Sequence, residues 1–170
     1  MPDPTLNLPS KRSETSYREA LAEAHAEGRH FDIDLIGLDF DHLLEKLEGE
    51  RRGDHLPPGC VPQTTLWLEL EGKYLGRVAI RHMMNETLLL IGGHIGYDIR
   101  PSERRAGFGT IALRLALPRA RELGLKRVLI TCDDDNVASR RIIERNGGLF
   151  ENAVDHAGVR KLRFWVDLKS

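Results

Sequence analysis

The run from Ile95 to Gly124, IGYDIRPSERRAGFGTIALRLALPRARELG, constrains this chain most. An extended segment, His94 to Arg100, opens after Gly92-Gly93 and closes at Pro101, which cannot donate to a ladder. A basic glycine-containing turn follows, and then a long helix from Gly107 to Leu123. Phe108, Ile111, Ala112, Leu115, Ala116 and Leu123 share one side of that helix, arginines occupy much of the other, and Gly124 stops it. Arg127 to Cys132, RVLITC, is then a β-branched-rich buried strand. Strand, helix and strand in this order form a crossover, so the chain folds as mixed α/β.

The flanks follow from the same periodicities. Residues 1–12, with Pro2, Pro4 and Pro9, read as an extended or mobile lead-in. Ser16 to Glu27 is a helix with Tyr17, Ala20, Leu21 and Ala24 on one face, and Asp39 to Glu50 is a second with Phe40, Leu43, Leu44 and Leu47. The proline-rich stretch GDHLPPGCVPQ is a loop. Thr64 to Leu70 and Tyr74 to Arg81 form a hairpin around Glu71-Gly72. Arg81 to Leu90 fits either a helical turn or a loop. After Asp133 to Asn136, a turn and cap, a helix runs to about Asn146, and two strands, Leu149–Val154 and Val159–Leu168, finish the chain.

At 170 residues the chain is long enough for one domain with a real core. A net charge of -1 supplies no global basic field, so nucleic acid is not an expected partner and any electropositive site is local. Cys60 and Cys132 lack zinc or CxxC spacing, and the seven histidines lack HExxH spacing, so no metal is expected. No apolar run approaches a membrane span and no charged-then-apolar leader precedes the first helix. The expectation is a cytoplasmic protein with no membrane partner.

Arg104-Arg105-Ala106-Gly107-Phe108-Gly109 places two arginines, two glycines and several free N–H groups at a helix N-terminus. That end offers up to four unpaired N–H groups and about half a positive charge, which suits a diphosphate. Thr110 adds a hydroxyl. Neither the GxxxxGK[ST] nor the GxGxxG pattern is present, so the commoner nucleotide seats are excluded.

The motif Arg104-x-x-Gly107-x-Gly109 after a strand, with Asp135-Asn136-x-x-Ser139 opening the helix after the next strand, resembles the GNAT superfamily of acyl-CoA-dependent N-acetyltransferases. The segments RHMMNE, GGHIGYDIRPSERRAGFG, LITCDDDNVASRRIIERNGG and RFWVDL are similar to a bacterial acetyltransferase group within it. The resemblance covers roughly residues 64–168. It implies one GNAT-like domain over 1–170: the lead-in 1–12, a helical acceptor-side segment 13–60, and an acyl-CoA core 64–168. The implied fold is α+β, a mixed and mostly antiparallel sheet with a central splayed parallel strand pair flanked by helices. Acetyl-CoA, the implied cosubstrate, would lie between the splayed strands. Its pantetheine would pair near Tyr97, Asp98 and Ile99, its pyrophosphate would sit on Arg104, Arg105, Ala106, Gly107, Phe108, Gly109 and Thr110, and Asn136 and Ser139 would border the thiol end.

The implied reaction is direct acetyl transfer to an amine, which attacks only when neutral and so needs a base. His94, Asp98 and Glu86 are candidates, and His94 ranks first by its unperturbed pKa. Members of the superfamily often carry a tyrosine seven residues after the helix-opening Asn to protonate the leaving thiolate; here that position is Ile143. Tyr97 and Cys132 are the nearby substitutes. By alternation His94 and Asp98 share a strand face and Tyr97 takes the other.

Three functions follow: an N-acetyltransferase acting on a primary amine of a small molecule or protein, a non-catalytic acyl-CoA sensor, and an interaction protein that forms a homodimer through its terminal strands. Residues 15–60 supply the acceptor wall, where His30, Asp32, Asp34, Asp39 and Asp41 would suit a cationic amine. Asp133-Asp134-Asp135 reads as a turn rather than a metal site, and Trp67 and Trp165 as core or strand-pair residues.

Overall fold

The computed structural model describes residues 1–29, 37 and 39–169. Its elements, in chain order, are β1 (Thr5–Asn7), α1 (Glu14–Ala26), α2 (Phe40–Arg52), β2 (Gln63–Leu70), β3 (Lys73–Arg81), β4 (Ile95–Ile99), α3 (Phe108–Glu122), β5 (Arg127–Asp133), α4 (Val137–Arg145), β6 (Leu149–His156) and β7 (Val159–Asp167). They form two antiparallel sheets, ordered β1-β2-β3-β4 and β5-β7-β6. Both hairpins close on two residues at positive φ, Glu71-Gly72 and Ala157-Gly158, whose twist matches that of the strands they join.

One segment departs from the expectation, one takes the first of its two expected forms, and one lies outside the described residues. The lead-in contributes a strand: Leu6 is buried opposite Leu68, and β1 pairs with β2. A three-residue strand with one apolar position between prolines carries no periodicity of its own; its cause lies in the free edge of β2. The ambiguous stretch after β3 becomes a π-helical turn, Leu88–Gly92. The acceptor candidates His30, Asp32 and Asp34 lie outside the described residues.

Alternation assigns the two faces of the first sheet. Leu66, Leu68, Val78, Ile80 and Ile95 meet Ala112, Leu113 and Ala116 of α3 in a core that continues onto Val128, Ile130 and Phe164 of the second sheet. The small residues of α3 let the helix come close, and Leu113, fully buried, contributes roughly 2 kcal/mol. On the opposite face Tyr17, Ala20, Leu21, Phe40 and Leu43 of α1 and α2 cover Trp67 and Tyr74, with Tyr17 stacked on Trp67 at 4.3 Å.

Polar contacts fix α1 to the end of β4. The buried Arg100 donates to Glu23 (2.6 and 2.9 Å) and to the Ser16 hydroxyl (3.1 Å), and Glu23 also accepts the Ser102 N–H (3.1 Å). The Arg100 guanidinium holds the Glu23 carboxyl down at about 2.

Candidate active site

Among the described residues, hydrogen bonds between the strands of the two sheets form at one joint. The His94 N–H donates to the Leu129 carbonyl (2.7 Å) and the Leu129 N–H donates back to His94 Nδ1 (2.9 Å). Gly93 makes the approach feasible: its φ is 72° and ψ 178°, and a Cβ there would lie 2.6 Å from the Leu129 oxygen. Beyond the joint β4 and β5 form no ladder.

Hydrogen-bond parity shows what lines the resulting gap. Arg81 N–H donates to His94 O and Arg100 N–H to Leu75 O, so the even-numbered residues of β4 turn their backbone groups to β3. Tyr97 and Ile99 therefore turn theirs to the gap. On β5 the Asp134 N–H donates to Arg160 O and the Leu168 N–H to Lys126 O, so the even-numbered positions face β7 and Thr131 and Asp133 face the gap. The Asp98 backbone, expected with Tyr97 and Ile99, is instead held by β3.

The far end of the gap meets the turn before α3. Gly107 is the N-cap at φ 85°, exposed and with open space where a Cβ would be, and no side chain caps the helix. The first bond there is Ile111 N–H to Gly107 O (3.2 Å), which leaves the N–H groups of Phe108, Gly109 and Thr110 without helical partners. Arg105 and Ala106 are exposed beside them. Gly109 is buried, and a Cβ there would lie 2.6 Å from Ile142 Cδ1, so this glycine lets α3 pack on α4. Arg104 is held between Glu27 (3.0 and 3.1 Å) and the Ile99 carbonyl (3.3 Å).

On the α3 side, three groups gather across the gap. Tyr97 Oη is 2.7 Å from Ser139 Oγ, and Cys132 is close enough to perturb the phenol. Burial pushes the Tyr97 hydroxyl up to about 12, with the Ser139 hydrogen bond opposing and Cys132 adding to the shift. Burial also raises the Cys132 thiol. Asn136 is the N-cap of α4, its Oδ1 accepting the Ser139 N–H at 3.0 Å, which aims Ser139 at Tyr97. Ile143 is fully buried in the core.

The proposed bases lie apart. His94 is buried, and burial, with Arg81 and Arg127 nearby, lowers its pKa. Its Nδ1 lone pair accepts the Leu129 N–H, so the neutral ring carries its proton on Nε2 and has no free lone pair for an ammonium proton. Asp98 faces α1 and pairs with Arg29 at 2.7 Å. Glu86 is exposed just before the π-helical turn. Of the acceptor-wall acids, Asp39 caps α2 by accepting the His42 N–H and Asp41 pairs with Lys11 at 2.8 Å. Sequence reasoning missed Gly93 and Thr131; the Gly-Gly pair before a strand and the one hydroxyl inside RVLITC were their signals. Among the described residues no three His, Cys, Asp or Glu side chains converge on a metal position, and no helix is long and apolar enough to cross a membrane.

Comparison with known proteins fits this geometry. No curated protein sequence matches the chain significantly. Solved structures share the fold: Mycobacterium smegmatis RimJ in complex with CoA-disulfide (TM-score 0.68, 19% identity, 98% of this chain and 88% of that one), and the ribosomal alpha-N-protein acetyltransferase RimL in complex with coenzyme A (0.67, 16%, 96% and 93%). A third is the microcin self immunity acetyltransferase MccE in complex with acetyl-CoA and AMP (0.68, 15%, 97% and 92%). The profile of the acetyltransferase (GNAT) domain matches residues 58–148, more than half of the chain. The protein therefore belongs to the GNAT acetyltransferase domain family of acetyl-CoA-dependent acyltransferases.

Proposed function

We propose that this protein transfers the acetyl group of acetyl-CoA directly to a primary amine of a small molecule or a protein. One observation carries the proposal: a gap faced by backbone groups of Tyr97, Ile99 and Thr131 that join no ladder, running from the His94–Leu129 joint to the uncapped N-terminus of α3. The pantetheine pairs with those groups as a short strand would. The pyrophosphate sits on the N–H groups from Arg105 to Thr110 with Arg104 and Arg105 beside it, and Ser139, oriented by Asn136, borders the thiol end.

In the reaction the neutral amine attacks the thioester carbon. A C–N bond forms, the C–S bond breaks, and the thiolate leaves as CoA after taking a proton. Holding both reactants in the gap supplies much of the rate. The gap-facing N–H groups of β4 stabilise the oxyanion. Asp98 is the better placed base, because its carboxylate lies on the α1 face and His94 is committed to the joint. Tyr97, pushed up to about 12, remains neutral and serves the thiolate as a hydrogen-bond donor.

The second function, an acyl-CoA sensor without turnover, is favoured by one feature, the buried Ile143 where the superfamily often has a proton-donating tyrosine. Acetyl-CoA with a panel of amines and a thiol-reactive dye separates the two: transfer releases thiol in proportion to amine, whereas CoA binding without thiol release leaves the sensor. Gly107→Val, which adds a side chain at φ 85° on the phosphate seat, should abolish CoA binding in either case. Undiminished binding would refute the seat.

A further inference from the structure

A line of four alternating charges runs from the phosphate seat to the acceptor face. Gly28, at φ 76°, turns the chain after α1 so that the Arg29 N–H bonds back to Ala24 O (3.1 Å). Glu27 and Arg29 are thereby held side by side. Arg104, in the turn before α3, is 3.0 Å from Glu27; Glu27 is 3.3 Å from Arg29; Arg29 is 2.7 Å from Asp98. Among the described residues each inner member has a partner of opposite sign on either side, so a gain at one end is a loss further along. The outer members are the residue beside the pyrophosphate seat and the carboxylate beside the gap.

We propose that Glu27 and Arg29 are positioning residues that couple the two substrates: diphosphate draws Arg104 off Glu27, Glu27 takes up Arg29, and the Asp98 carboxylate is released to hold a cationic amine. This rests on the assignment of the diphosphate to the α3 N-terminus. Before CoA binds, Arg29 neutralises Asp98 and an ammonium gains little by approaching it. Once the diphosphate takes Arg104, Glu27 has lost one cation and pairs more fully with the remaining one. The acceptor it selects is cationic, and by reciprocity a bound ammonium on Asp98 strengthens CoA binding. All four side chains are between a quarter and two-fifths exposed, so each link is screened and the coupling is a matter of a few fold.

The test is CoA affinity, by calorimetry on the full-length protein. Glu27→Gln frees Arg104 and should tighten CoA binding about twofold to fivefold. Asp98→Asn, whose side chain lies on the α1 face, releases Arg29 to Glu27 and should tighten it by about twofold. The double variant should bind no more tightly than Glu27→Gln alone, because the second change acts only through the first. Arg29→Gln should weaken CoA and make Asp98→Asn silent, which gives an independent route if Glu27→Gln folds poorly. A field effect of lost negative charge would instead add, so additive changes in the double variant, or unchanged affinity in Glu27→Gln, would overturn the coupling and leave the phosphate seat standing. Absence of CoA binding by the unaltered protein would overturn both.

Discussion

Replacing Gly93 by alanine tests the joint on which the site is built. Gly93 sits at φ 72° and ψ 178°, a region open in practice only to glycine, and occupying it with alanine costs about 1–3 kcal/mol. The added Cβ would also meet the Leu129 carbonyl oxygen at 2.6 Å and the Leu129 carbon at 3.2 Å. Both are backbone atoms of a fully buried residue, so no flexible side chain can give way, and overpacking adds about 1–3 kcal/mol. The total is about 2–6 kcal/mol, and for a domain of this length each kcal/mol lowers Tm by roughly 2–4 °C. Thermal unfolding of Gly93→Ala should therefore show a Tm lower by at least about 4 °C, and by about 12 °C at the middle of the range. Movement of Gly93 separates His94 from Leu129, so CoA affinity should fall as well. Gly96→Ala is the matched control, with open space where its Cβ would be and no positive φ, and it should melt like the wild type. A Gly93→Ala protein that melts within 2 °C of wild type would refute the claim that the close approach at Gly93 defines the gap.

Glu23→Gln should lower stability by about 1–2 kcal/mol at pH 7, less than the full shift suggests because the carboxylate is 28% exposed. The folded carboxyl is held at about 2, below its ordinary 4.5, so its contribution is present above pH 4.5 and lost as pH falls toward 2. Denaturant curves for the two proteins should converge over that range, and a constant difference would contradict the Arg100 pairing. Tyr97→Phe should gain on the wild type above pH 10, since a phenol at about 12 in the fold and near 10 when unfolded loses stability between those values. Parallel pH curves would show that the phenol is not buried against Ser139. Ile143→Tyr should not supply a proton donor. Position 143 is fully buried and packed against Gly148, so the larger ring should cost about 1–3 kcal/mol with no rise in kcat; a faster enzyme would place that side chain in the gap.

The elements with strong periodicity were legible in the chain. The hairpin around Glu71-Gly72, the helix from Gly107 and the strand RVLITC appear within a residue or two of their expected bounds because local propensity and burial agree there. The uncapped, glycine-led start of α3 was legible for the same reason: glycine and arginine at a helix start have a local meaning. What escaped depends on partners far along the chain. Leu6 is a strand residue only because β2 offers an edge, and Gly109, which looks like part of an anion loop, is packed against Ile142 33 residues later. His94 has the residue type of a base, yet its ring nitrogen serves Leu129, a contact that no pattern in one strand can reveal. The pairing of Glu27 with Arg104 joins residues 77 apart.

Amide hydrogen exchange with and without CoA tests the central claim most directly. If the pantetheine pairs in the gap and the diphosphate sits at the start of α3, CoA should slow exchange at Tyr97, Ile99 and Thr131 and at Phe108, Gly109 and Thr110. The neighbouring Gly96 and Asp98 amides, already turned to β3, should change little. Bound CoA that leaves Tyr97 and Thr131 unprotected, or that instead protects the groove between Pro118 and Leu149, would contradict it.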